Sequence, residues 1–125
     1  MRLLDTNVFV SFLRGHPPAV RYIEGLKGAD DVAFSVITET ELLTGSSCND
    51  ERKRRRVLAL LGQWKKLDVT NPVAARAGDI KRTQGLFVLD AIIAATALQA
   101  GAEVVTSNVK HFRKVDGLKV TEPPY

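Results

Sequence analysis

Asp90-Ala91-Ile92-Ile93-Ala94-Ala95-Thr96-Ala97-Leu98-Gln99-Ala100-Gly101 runs directly into Ala102-Glu103-Val104-Val105-Thr106. The first segment is apolar almost all round, the pattern of a helix buried on several sides, and Gly101 stops it. The second is short and valine-rich, the pattern of a strand over Glu103 to Thr106. A helix feeding a strand is the repeating unit of an α/β protein with a parallel sheet.

The same alternation extends outward in both directions. Leu3-Leu4 reads as a buried strand ending at Asp5, although periodicity alone does not separate so short a run from a helix. Val8, Phe9, Phe12 and Leu13 recur at helical spacing before Gly15, and Pro17-Pro18 opens a second helix that closes at Gly28. Val32 to Val36 predicts a second strand, and Thr38 to Leu43 a helix stopped by Gly45. Ser46 to Asp50 is a polar loop. Glu51 to Trp64 is helical, with Val57, Leu58, Leu61 and Trp64 on one face. Leu67 to Val69 predicts a short strand. Asn71-Pro72 caps a helix that turns Val73, Ala77 and Ile80 inward and stops at Gly85. Leu118 to Val120 predicts the last strand. In such a sheet, functional side chains gather beyond the carboxyl ends of the strands.

The 125 residues suit one domain over residues 1–125. Lys and Arg number 18 against 14 Asp and Glu, a formal charge of +4 that permits a polyanionic partner. The single cysteine, Cys48, excludes an internal disulfide and fits a reducing compartment. No apolar run approaches the ~18–20 residues of a membrane span, and no cleavage site follows the short start Met1 to Leu4. A soluble, cytoplasmic protein is the expectation. There is no Gly-rich phosphate loop, no dinucleotide fingerprint and no Gly-x-Ser-x-Gly elbow. His16, His111 and Cys48 do not make a zinc set. Aromatics, at 6%, are too sparse to propose a base-stacking platform.

Chemistry then rests on acids at element ends. Asp5 stands at the end of the first strand, where it serves either as a helix cap or as a site residue. Thr38-x-x-Glu41 has the spacing of a capping box, the structural reading of Glu41. Glu39, about 200° away around the same helix, does not share its face. Asp90 suits the helix dipole, but it lies between Leu86-Phe87-Val88-Leu89 and Ala91-Ile92-Ile93, so it is expected to be partly buried. Thr106-Ser107-Asn108 reads as a polar turn or as neutral oxygen donors at the same sheet edge. Carboxylates converging there without a counter-charge repel one another, and a hard divalent cation removes that penalty. Such a cation activates water and neutralises phosphate, so an acidic site on a basic protein points to phosphodiester hydrolysis. Arg52-Lys53-Arg54-Arg55-Arg56 is either a solvated helix face or a phosphate track.

Four segments also carry a family resemblance: Leu4-Asp5-Thr6-Asn7, Ser35 to Gly45, Leu89 to Leu98, and Val105 to Phe112. In order and spacing they resemble PIN-domain nucleases, most closely the small VapC-type toxins of toxin–antitoxin pairs. The resemblance implies a Rossmann-like, three-layer fold with a central parallel sheet and helices on both faces. It implies an Mg²⁺- or Mn²⁺-dependent endoribonuclease, a homodimer, and a small cognate antitoxin. The family's acids fall on Asp5, Glu41 and Asp90, which are expected to hold the metal. Asn108 stands at or near a fourth position that is often acidic, and His111 stands where Asp is common. Asp116 is the only acid nearby. Thr6 and Thr106 are expected at the substrate.

The non-enzyme alternative is a weak or inactive PIN scaffold that binds RNA or a regulatory partner. A receiver domain wants paired acids after its first strand, and a haloacid-dehalogenase-type phosphatase wants a second Asp where Asn7 stands.

Overall fold

A computed structural model describes residues 1–125. The elements are β1 (Arg2–Leu4), α1 (Thr6–Leu13), α2 (Pro17–Gly25), β2 (Val32–Ser35), α3 (Val36–Leu43), α4 (Glu51–Leu61), β3 (Lys65–Leu67), α5 (Asn71–Gln84), α6 (Val88–Ala100), β4 (Glu103–Val105), α7 (Val109–Phe112) and β5 (Val120–Thr121). The strands form one sheet in the order β3-β2-β1-β4-β5, and every pairing is parallel. Leu3 is paired with Ala33 on one side and Val104 on the other. The chain leaves β1 toward β2 and β3, then returns to the far side for β4 and β5. The direction of winding therefore reverses between β1 and β4, where open α/β sheets form their crevice.

Successive strand residues point to opposite faces. Leu3, Ala33 and Val104 face one core, with Val73, Ala77 and Ile80 of α5, Ala91 and Ala94 of α6, and Phe112 of α7. Leu4, Phe34 and Val105 face the other, with Val8 and Phe9 of α1, Ile23 of α2, and Val57 and Leu61 of α4. This is the expected sheet with helices on both faces. No helix is long and apolar enough to cross a membrane.

Boundaries differ from the sequence reading where a local hydrogen bond overrides composition. β2 stops at Ser35, because the Ser35 hydroxyl accepts from the Ile37 amide at 3.1 Å and starts α3 two residues before Thr38. Val36 and Ile37, strand-like by composition, form the first helical turn. The third strand lies at Lys65–Leu67 rather than Leu67 to Val69. It is an edge strand, paired only with β2, and edges tolerate lysines. The last strand is shifted to Val120–Thr121. Ser46–Asn49 is a 3₁₀ turn within the expected loop, and α7 is an element the sequence did not mark. α2 ends at Gly25 and α4 at Leu61. Trp64 is still buried, its indole donating to the Leu26 carbonyl at 3.0 Å. Gly101 ends α6 at a φ of 64°, a left-handed turn that suits glycine.

Phe9 anchors α1 beneath the crevice. It is fully buried, with Phe34 at 6.1 Å in an edge-on arrangement and Trp64 at 5.9 Å. Truncation leaves a cavity the helices do not close. Phe9→Ala is expected to lower stability by about 3–5 kcal/mol, read as a lower urea midpoint at unchanged m. A loss below ~1 kcal/mol would show that α1 is not anchored there.

Candidate active site

Asp5 follows β1 and caps α1 with 5% of its surface exposed. One carboxylate oxygen accepts from the Thr6 amide at 2.8 Å, and the other from the Thr106 hydroxyl at 2.8 Å. Thr106 follows β4 and is fully buried. Its oxygen also accepts from the Asn7 side-chain amide at 3.2 Å and the Asn108 backbone amide at 2.9 Å. A hydroxyl has one proton and two lone pairs, so Thr106 is saturated. These bonds tie the loops after β1 and β4 together across the crevice.

A second chain of hydroxyls holds Glu41. The Thr6 hydroxyl donates to Glu41 Oε1 at 2.7 Å and lies 3.0 Å from the Thr38 hydroxyl. Thr6 has spent its only proton on Glu41, so Thr38 donates to Thr6. The capping-box reading is thereby corrected. Ser35 is the cap, Thr38 is a buried residue inside α3, and Glu41 faces Thr6 rather than a backbone amide. Glu39 points elsewhere and pairs with Lys66 at 2.8 Å.

Asp90 is the third residue of α6 and is half-buried. Burial raises its pKa, and the nearby charge of His111 draws it back down. Asp5 is raised further, to about 6. Burial is the main cause, and the Thr106 hydrogen bond opposes it; the charge of Asp90 then pushes upward, the Thr6 amide downward and Glu41 upward again. None of the three acids has a salt-bridge partner. The structure thus brings Asp5, Glu41 and Asp90 to one sheet edge, near enough for Asp90 and Glu41 to push on the Asp5 carboxyl, with no salt bridge to offset them. No three acidic, imidazole or thiol groups form a complete metal-ligand set by themselves. The donors still fit a hard divalent cation, because Mg²⁺ keeps several waters and needs only one or two direct carboxylates.

Asn108 is half-buried and lines an open groove of about 470 Å³ with Ser107, Lys110, Arg113 and Glu122. Asp116 is exposed. Arg52 to Arg56 form an exposed surface of α4, with Arg55 near Glu51 at 3.5 Å.

A family model described as PIN domain matches residues 2–118. The chain belongs to the PIN-domain family. Ribonuclease VapC19 of Mycobacterium tuberculosis is 32% identical over 131 residues, spanning 100% of both proteins. A toxin–antitoxin complex from Klebsiella pneumoniae is similar in structure, with a TM-score of 0.81 and 26% identity over 98% of each chain. FitAcB from Neisseria gonorrhoeae gives a TM-score of 0.76 and 32% identity over 98% of each chain. In this PIN domain, sequence reasoning missed Thr38 and Asn7 as supports of the acids. Both lie within the quoted family segments, but the contacts of each depend on a distant loop or helix.

The raised carboxyls set the pH response. Asp5 titrates near 6 when folded and near 3.8 when unfolded, so the folded protein holds the extra proton between those values. Stability is therefore greater below this window and falls as pH rises through it, by up to roughly 3 kcal/mol, with Asp90 acting in the same sense. Urea unfolding from about pH 4 to pH 7 should show this decline, and Asp5→Asn should flatten it. An equal decline in Asp5→Asn would place the cause elsewhere.

Proposed function

We propose that this PIN domain is a metal-dependent endoribonuclease and the toxin of a toxin–antitoxin pair, acting in the cytoplasm. The observation that carries the reading is the buried Asp5, hydrogen-bonded to Thr6 and Thr106 and pushed up to about 6 beside Asp90 and Glu41, with no salt bridge to any of the three. The relatives named as a ribonuclease and a toxin–antitoxin complex support the same activity and an antitoxin partner. Asp5, Asp90 and Glu41 are the residues that would hold Mg²⁺ or Mn²⁺. When bound there, it would supply charge neutralisation at the phosphate and an acidified water.

The remaining steps belong to the chain's own groups. Thr38 and Thr6 fix the Glu41 carboxylate, which orients the attacking water. Thr106 keeps Asp5 ionised and aimed; being saturated, it acts on substrate only through its neighbours. Asn108 positions the scissile phosphate. The products carry 5′-phosphate and 3′-hydroxyl ends. Exposed Val88 and Leu89, with the apolar groove between α5 and α6, give the homodimer a surface to use. The rival scaffold reading draws on Asn108, a neutral residue where relatives often carry an acid.

The test is cleavage of a mixed RNA pool by partner-free protein, with and without Mg²⁺ or Mn²⁺. Wild type should cut only with metal, and Asp5→Asn should not cut. Thr106→Val should lose activity by roughly 10–100-fold, as removal of a group supporting a metal ligand does. Cutting that persists in Asp5→Asn, or products ending in 2′,3′-cyclic phosphate, would overturn the mechanism. RNA binding without cutting by folded wild type would favour the scaffold.

A further inference from the structure

Phe87 is the most exposed large apolar side chain of the protein, at 72%. It also occupies the N-cap of α6 and makes no capping hydrogen bond. Ser, Thr, Asp or Asn there would satisfy a free backbone amide, and a polar residue would hydrate better than a phenyl ring. A residue that is poor both for its helix and for its surface calls for another role, and such local conflicts concentrate at functional sites.

The surroundings define that role. The Phe87 ring stands edge-on to the His111 imidazole, with centroids 6.4 Å apart and planes at 83°. The two rings, with Gly85, Leu86 and Lys114, line a cavity of about 120 Å³. That is well under the ~300–1,000 Å³ of pockets that enclose a whole small molecule, so it suits the edge of one flat ring. Lys114 lines it without an acidic partner. The cavity adjoins the acid cluster, since Phe87 lies three residues before Asp90 and His111 is near enough to act on that carboxyl. Val88 belongs to a different surface: it lines the groove between α5 and α6 with Ile92 and Ala77. Phe87 does not line that groove.

We propose that Phe87 and His111 form a subsite for one nucleobase of the RNA strand beside the scissile phosphate, with Phe87 as the stacking platform and Lys114 meeting the adjoining phosphate. The subsite rests on the ribonuclease reading. Aromatic faces bind bases of any sequence, so it contributes affinity and register more than sequence choice. Few aromatics in the sequence do not prevent this, because a single ring placed at the site edge suffices for one base.

The test uses fluorescent single-stranded oligo(U) and oligo(A) in EDTA, with the Asp5→Asn background so that the probe survives. Phe87→Ala should weaken binding of both by at least about five-fold, the low end for one base–aromatic stack. Phe87→Trp should restore it, and Phe87→Leu should not. In metal-activated wild-type background, Phe87→Ala should raise KM more than it lowers kcat. The exposed position leaves the urea midpoint unchanged, which separates the effect from unfolding. Full binding by Phe87→Leu, or unchanged binding by Phe87→Ala with an altered oligomeric state, would overturn the subsite and make Phe87 a protein contact. If wild type cuts RNA while Phe87→Ala binds and cuts equally well, the subsite alone fails. If folded wild type neither binds nor cuts, the ribonuclease reading fails and takes the subsite with it.

Discussion

The hydrogen bond from the Thr106 hydroxyl to Asp5, 2.8 Å long and closed to solvent, ties the chain leaving β4 to the chain leaving β1. Those strands are neighbours in the sheet, and the winding reverses between them. A buried carboxylate is tolerated only where donors meet it. Here the donors are a hydroxyl and an amide from the two loops that frame the crevice. Without Thr106, Asp5 loses the strongest influence that keeps it ionised, and the loop bearing Asn108 loses an acceptor for its backbone.

The acids carry an energetic cost that the rest of the fold offsets. Two apolar cores, one on each sheet face, hold β1 rigid while its last residue delivers an acid to the edge. α6 is packed so closely by alanines that Asp90, in its first turn, is fixed by its backbone rather than by a hydrogen-bonded side chain. Glu41 is held differently, by two threonine hydroxyls in series. The net charge of +4 and the acidic crevice are complementary: the surface as a whole favours a polyanion, while the acids repel one another at the crevice.

The architecture was legible because helices and buried strands have different periods, and the segment from Asp90 to Thr106 shows both in succession. Asp5 and Asp90 were legible as acids at element ends, and Glu41 through the family resemblance. What the sequence concealed were relations set by hydrogen bonds between distant parts. Glu41 matched a capping box by spacing, yet Ser35 took the cap and left Glu41 free to meet Thr6, 35 residues away. The edge strand at Lys65 is defined by its pairing with β2, which no side-chain pattern announces. Phe87 read as one member of an apolar run, and only its exposure beside His111 sets it apart.

Direct titration of the Asp5 carboxyl, by carbon NMR on aspartate-labelled protein in EDTA and then in Mg²⁺, bears most closely on this account. In EDTA the carboxyl should titrate near 6, and Mg²⁺ should move it back into or below the ordinary range while perturbing Asp90. An Asp5 carboxyl that titrates normally in EDTA and ignores Mg²⁺ would contradict the claim that the crowded acids are built to hold a cation.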